Sequence, residues 1–237
     1  MRATISGIGT IIDTLALLFI VIKLYKPTKQ SGFNPTNFRG SLFWMFVNFG
    51  IFTLFMSFVL ITDDPTQAGL IGYVIGHIFL YIGIALYIFA PFSIIRPDDK
   101  KLPGILSIIL LISGIVISYI NWMAYSSGEY TPKVSDNNVM LWNPPPIVFF
   151  YIVGSIMFAW GIFGTGLFWY HAKNTTNKVL KKRSFLIGLG FLIFVLSGPP
   201  HDAPDPNPIV ILIVDALVAI GTLIQGYSLT LDTSKHN

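Results

Sequence analysis

The chain contains no cysteine and very little charge. The first absence excludes disulfides, thiolate metal sites, cysteine nucleophiles and thiolate-held clusters. The second excludes an ordinary water-facing surface: charged residues make up 11% of the chain, against about 25% in soluble domains. Catalytic signatures are missing too. There is no Gly-x-Ser-x-Gly, no His-Glu-x-x-His, no phosphate-cradling glycine loop and no paired-aspartate motif, so the sequence points away from an enzyme. The last apolar segment has no lysine, which excludes a retinal Schiff base there. A b-type haem between helices needs two facing histidines. Only His77 lies deep in an apolar run, with His171 at a segment end and His201 and His236 outside, so haem is disfavoured and no cofactor is expected.

What is present is hydrophobic: 53% of the residues, with a mean hydropathy of +0.69. The apolar residues fall into seven blocks, at about 5–24, 41–62, 68–94, 104–122, 147–170, 180–198 and 208–230. A spanning helix needs about 20 apolar residues. The sixth block is the shortest. It reaches that length only if Lys181, Lys182 and Arg183 snorkel to the interface. The expectation is therefore a single-domain, all-α, polytopic membrane protein with seven transmembrane helices. The first block has no small-residue cleavage pattern after it and reads as a retained helix.

The formal net charge of +4 does not point to nucleic acid, because the basic residues sit at the ends of apolar runs. All of them except Arg2 and Lys133 fall on one side of the alternating connections. The positive-inside bias then puts the N-terminus outside and the C-terminus in the cytoplasm, with the plasma membrane as the expected location. The same bias places the sequon Asn174-Thr175-Thr176 in the cytoplasm, where it is not used. The cluster from Lys178 to Arg183 reads as topology signal and attraction to anionic lipid.

Two outer connections stand out. Residues 123–146 are polar and aromatic, and 197–208 carry five prolines, which predicts a stiff, non-helical path. Together they are expected to form a cap. No internal repeat and no broken helix is visible.

Small and polar residues mark helix contacts inside a bilayer. Such stripes are Ser6, Gly9, Thr10, Asp13 and Ala16 in the first helix, and Ser107, Gly114, Ser118 and Asn121 in the fourth. The seventh has Asp215, Ala219, Thr222 and Gly226. Gly154, Gly161, Gly164 and Gly166 predict close approach to the fifth. Phenylalanines at 43, 46, 49, 52, 55 and 58 recur every third residue, so they spread all round the second helix. Some are expected to face lipid and some to pack inward.

Ionisable side chains at membrane depth are costly and mark functional sites by default. Asp13, His77 and Asp215 are counted to the same layer in the outer half, with Asn121 just above it. Tyr73 and Tyr81 flank His77 by one turn on either side. If the three helices meet, these residues form a carboxylate–imidazole–carboxylate cluster able to bind a polar or cationic ligand or a proton. The bland reading is an Asp–His lock between helices. His201, Asp202 and Asp205 are weak metal candidates beside the simpler reading of a solvated loop.

In layout the chain resembles the seven-helix input modules that precede prokaryotic signalling domains. The stretch from Lys181 to Tyr227 carries it: a basic start, a short Gly-rich helix, a polar outer turn and a small-residue last helix. The resemblance implies a sensor feeding a cytoplasmic kinase or cyclase. The chain ends at Asn237 with no such domain, so output is expected through a separate membrane or cytoplasmic protein partner. The leading expectation is a sensor or ligand-binding membrane protein. The alternatives are a structural or accessory subunit of a membrane complex and a proton-coupled small-molecule transporter. An intramembrane lipid enzyme ranks last, because one histidine and two carboxylates are thin for zinc.

Overall fold

The computed structural model describes residues 5–60, 62, 64–136, 138–142, 144, 148–202 and 207–231. It is all-α, 83% helical, with seven long helical segments. These are α1 (Ile5–Ser31), α2 (Phe38–Met56), α3 (Pro65–Ile95), α4 (Lys101–Ser127), α5 (Val148–Asn174), α6 (Lys178–Ser197) and α7 (Pro208–Thr230). Among the described residues five of them, α1, α2, α3, α4 and α7, are long and apolar enough to cross a membrane. In α6 the first turns carry Lys178, Lys181, Lys182 and Arg183, the feature that already made it the weakest span in sequence.

The surface is that of a membrane-embedded protein. α1 exposes Ile8, Ile12, Leu15 and Ile22, and α4 exposes Ile105, Ile108, Ile112 and Ile115. Continuous apolar faces of this kind need lipid or a partner to cover them.

Local chemistry sets the helix ends. Asn37 caps α2 by accepting from the Gly40 amide at 2.6 Å, and Asn177 caps α6 by accepting from the Val179 and Leu180 amides. Asn207 caps α7 through the Ile209 amide, with Pro208 filling the first helical position. α1 outruns its expected end at residue 24 and passes through Pro27. It stops at Gly32, where φ is +78°, a conformation glycine adopts without steric cost.

α2 lies at the centre. It meets α1 through Thr53 and Thr14, α3 through Phe52 and His77, α5 through Phe38 and Phe168 and α6 through Phe49 and Phe194. This corrects the expectation for its phenylalanines. The residues do point all round the helix, but none of the six is exposed, and the large apolar side chain that α2 does expose is Leu54. Gly161 and Gly164 of α5 press on Val195 and Tyr87 as the sequence predicts, whereas Gly154 and Gly166 face open space. α6 and α7 approach to backbone contact: a Cβ on Gly190 would stand 2.5 Å from the Gly221 carbonyl oxygen.

Three local structures depart from expectation. α3 is continuous, but residues Ala68–Ile75 form a π-helix. Gly69 and Gly72 within it, and Gly76 just after it, bring the backbone against the Tyr125 ring, the Trp142 ring with Phe55 O, and Phe52 O. Residues 123–146 are not simply a polar loop. α4 continues to Ser127 and ends at Gly128 with φ +74°. An antiparallel hairpin then pairs β1 (Lys133–Val134) with β2 (Met140–Leu141). In the proline-rich connection Pro199–Asp202 form one 3-10 turn, which Pro199 and Pro200 tolerate because the first residues of a helical turn need no N–H partner.

Candidate functional site

The first polar zone lies on the seam between α1 and α7. A Cβ on Gly9 would sit 3.8 Å from Asp215 Cβ, and one on Gly226 would sit 2.9 Å from Ile20 Cγ1. The two pairs have the same sequence offset, so the helices run parallel and in step. Asp13 then faces the level of Ala219. It lies one turn, about 6 Å, deeper than Asp215. Asp13 is buried at 4% exposure, and Asp215 is half-buried.

A hydroxyl ladder joins the same stretch of α1 to α2. Thr14 Oγ1 donates to Thr10 O at 2.7 Å and lies 2.8 Å from Thr53 Oγ1. Ser57 Oγ lies 3.1 Å from Thr10 Oγ1 and 2.8 Å from Thr53 O. Sequence reading marked Thr10 and missed Thr14, Thr53 and Ser57. The signal was present, because Gly50, Thr53 and Ser57 form a small-polar stripe of the kind that marks helix contacts.

The second zone surrounds His77, which is 8% exposed. Its Nδ1 lies 2.8 Å from the Tyr73 carbonyl oxygen. A carbonyl can only accept, so Nδ1 carries the proton in the neutral ring and Nε2 is the basic nitrogen. The ring lies tilted against Tyr73 at 3.9 Å between centroids, meets Phe52 edge-on at 5.2 Å and has Tyr81 at 6.3 Å. The α4 stripe closes this side: Gly114 packs on the Tyr81 ring and Gly69 of α3 on the Tyr125 ring. That antiparallel register puts Ser118 near the level of His77 and Asn121 near that of Tyr73, both buried. Ser118 Oγ is buried without a hydrogen-bond partner among the described residues.

The hairpin caps this zone. Trp142 is buried against Tyr73, with ring centroids 5.6 Å apart, and its carbonyl accepts from Tyr125 Oη at 2.6 Å. The Ile5 amide donates to Asn138 O at 2.9 Å, tying the hairpin to the start of α1. An unbroken aromatic column therefore runs Trp142–Tyr73–His77–Phe52 from the cap into the bundle. Phe52 and Trp142 were not among the expected site residues. Phe52 was read as bulk, and Trp142 lay in a segment without periodicity.

The structure thus divides the expected cluster. Asp13 and Asp215 share a seam, and Tyr73, Tyr81 and Asn121 gather with His77. The two groups lie on different sides of α2. Gly50, Thr53 and Ser57 face α1, while Phe52 and Phe55 face α3. At about 100° per residue these are opposite faces. The principal neighbours of α3 are α2 and α4, whereas α1 packs on α2 and α7. His201 and Asp202 lie in the 3-10 turn, with their side chains outside the described part of the structure, and Asp205 lies outside the described residues.

The chain matches no family model, and comparison with curated proteins and with solved structures finds no match.

Proposed function

We propose that this protein is a membrane sensor with seven spans, its cap outside the cell and its basic end in the cytoplasm of the plasma membrane. The supporting observation is the column Trp142–Tyr73–His77–Phe52. It couples a capping hairpin to a buried titratable group and then to the central helix. The positive-inside bias supports the orientation, since all basic residues of the sequence except Arg2 and Lys133 fall on one side of the alternating connections.

The ligand class is an organic cation. Aromatic faces attract cations through their quadrupoles, and Asp13 and Asp215, across α2 from the column, add negative potential from a distance. Binding under the cap lifts Trp142 from Tyr73. The π-helical turn of α3 gives that motion a soft point, as such turns often do at functional sites. The rearranged helices then present a changed basic face to a separate protein partner.

The test is a thermal-shift screen of tetraalkylammonium and aromatic cations on the full chain in nanodiscs. At least one cation class is expected to stabilise wild type, and H77A, D13N and D215N are expected to weaken that shift. If all three variants respond like wild type, the site lies elsewhere and this reading fails.

A second reading is cation- or proton-coupled transport, favoured by two carboxylates facing one seam within the apolar layer. Uptake into proteoliposomes under a pH gradient, abolished by D13N or D215N, would select it.

A further inference from the structure

Each hydroxyl of the α1–α2 ladder has a carbonyl of its own helix within reach of its proton. Thr10 Oγ1 lies 2.9 Å from Gly7 O and Thr14 Oγ1 2.7 Å from Thr10 O. Thr53 Oγ1 lies 3.1 Å from Gly50 O and Ser57 Oγ 2.8 Å from Thr53 O. All four can donate to these carbonyls at once, which turns their lone pairs into the seam. There the oxygens meet in two pairs, Thr14 with Thr53 at 2.8 Å and Ser57 with Thr10 at 3.1 Å. A pair of this kind is ordinary helix glue when one member donates to the other. When neither does, a cation takes the proton's place. The pairs are one helical turn apart, so a point midway between them lies about 3 Å from all four oxygens.

Two further features favour the cation. The first is Asp13. Thr10, Thr14 and Leu17 mark the face of α1 that meets α2, Leu17 packing on Gly50, while Gly9 and Ile20 mark the face that meets α7. At about 100° per residue Asp13 falls between these faces. It is 4% exposed, and it stands beside Thr14 and one turn from Thr10, on neighbouring positions of the helix surface. The second feature is the end of α2. That helix stops at Met56 with Ser57 as its cap, and the C-terminal end of a helix favours positive charge. Carboxylate, hydroxyl and carbonyl oxygens are the ligands that hard cations take.

We infer that Thr10, Thr14, Thr53 and Ser57, with Asp13, bind a small monovalent cation, sodium or potassium, between α1 and α2. One carboxylate neutralises one charge. A divalent ion would leave a net charge in the apolar layer, which is costly. Asp215 lies one turn nearer the cap, is half-buried and stands toward Gly9, so it is outside this set. The bound ion replaces the hydrogen bond within each pair and ties α1 to α2. The site rests on the α1–α2 contact, and it shares only Asp13 with the cap and transport readings.

The test is a melt of the full chain in phosphatidylcholine nanodiscs, with no ion gradient, in sodium, potassium, magnesium or N-methylglucamine chloride at equal ionic strength. Wild type is expected to gain roughly 5 °C in sodium or potassium over N-methylglucamine, saturating with concentration. T14V and T53V keep the side-chain shape and each remove one oxygen. Both are expected to lose the gain, as is D13N. H77A and T165V, the latter a change at a buried threonine of α5, are expected to keep it. The salt giving the larger gain identifies the ion. Equal melting in all four salts overturns the site, and so does a gain in magnesium alone. A gain kept by both T14V and T53V leaves the hydroxyls as helix glue, and a gain lost in H77A moves the ion under the cap; either overturns it. The cap reading is tested by organic cations, so each proposal can fail without the other. If T53V does not fold, T14V carries the same comparison at a half-buried position.

Discussion

Replacing Tyr125 by phenylalanine isolates a polar bond that ties the cap to α4. Tyr125 Oη donates to the Trp142 carbonyl at 2.6 Å, and both residues are buried. The ring would stay, keeping its packing on Gly69 and its edge-to-face contact with Tyr73 at 5.8 Å. What is lost is the donor, and a buried carbonyl is left without it. That costs about 1–3 kcal/mol. If the cost falls on opening of the hairpin, the opening equilibrium rises roughly 5- to 150-fold. The assay is hydrogen exchange read by mass spectrometry in nanodiscs. The reporting amides are Ser135, which donates to Val139 O, Asn138, which donates to Ser135 O, and Ile5, which donates to Asn138 O, each at 2.9 Å. Their exchange is expected to accelerate by that factor, while amides at the α6–α7 contact keep their rate. Unchanged exchange at the hairpin would mean that the Trp142 ring alone holds the cap. Equal acceleration everywhere would mean that Tyr125 supports the whole bundle. Either result refutes the assignment of Tyr125 as the cap's pin.

Two further substitutions test the packing. Tyr87 Oη is buried with no hydrogen-bond partner among the described residues, so Y87F is expected to raise the melting temperature by about 2–4 °C, the shift for roughly 1 kcal/mol in a chain of this size. G190A drives a methyl onto the Gly221 carbonyl and is expected to cost about 1–3 kcal/mol, whereas G166A, with open space around it, is expected to stay within about 0.5 kcal/mol of wild type in the same melts.

The helices were readable because lipid imposes one dominant rule: long apolar runs end where charge begins. All seven runs became long helical segments, and the small-residue stripes of α1, α4 and α7 turned inward, as Gly114 on Tyr81 and Gly226 on Ile20 demonstrate. Features set by tertiary contact were not readable. The apolar run of the first helix ends near residue 24, but the helix itself continues through Pro27 to Ser31. The π-helix of α3 depends on Trp142 and Tyr125 packing on its glycines from distant parts of the chain. The hairpin rests on two residues per strand, too few for alternation to register.

The candidate site shows the same division. Counting residues along a spanning helix gives an approximate depth, and the register of α1 against α7 sets Asp13 one turn deeper than Asp215. Counting gives no bearing around the bundle. Neighbour relations come from which helix occupies the centre, and that place went to α2, whose aromatic residues looked like bulk. Its central position also changes what the polar residues can do together. Phe52 touches His77 on one face, and Thr53, the next residue, holds Thr14 on the other. The two zones therefore meet through adjacent positions of a single helix. A rotation of α2 about its axis shifts the imidazole cage and the hydroxyl ladder beside Asp13 at once.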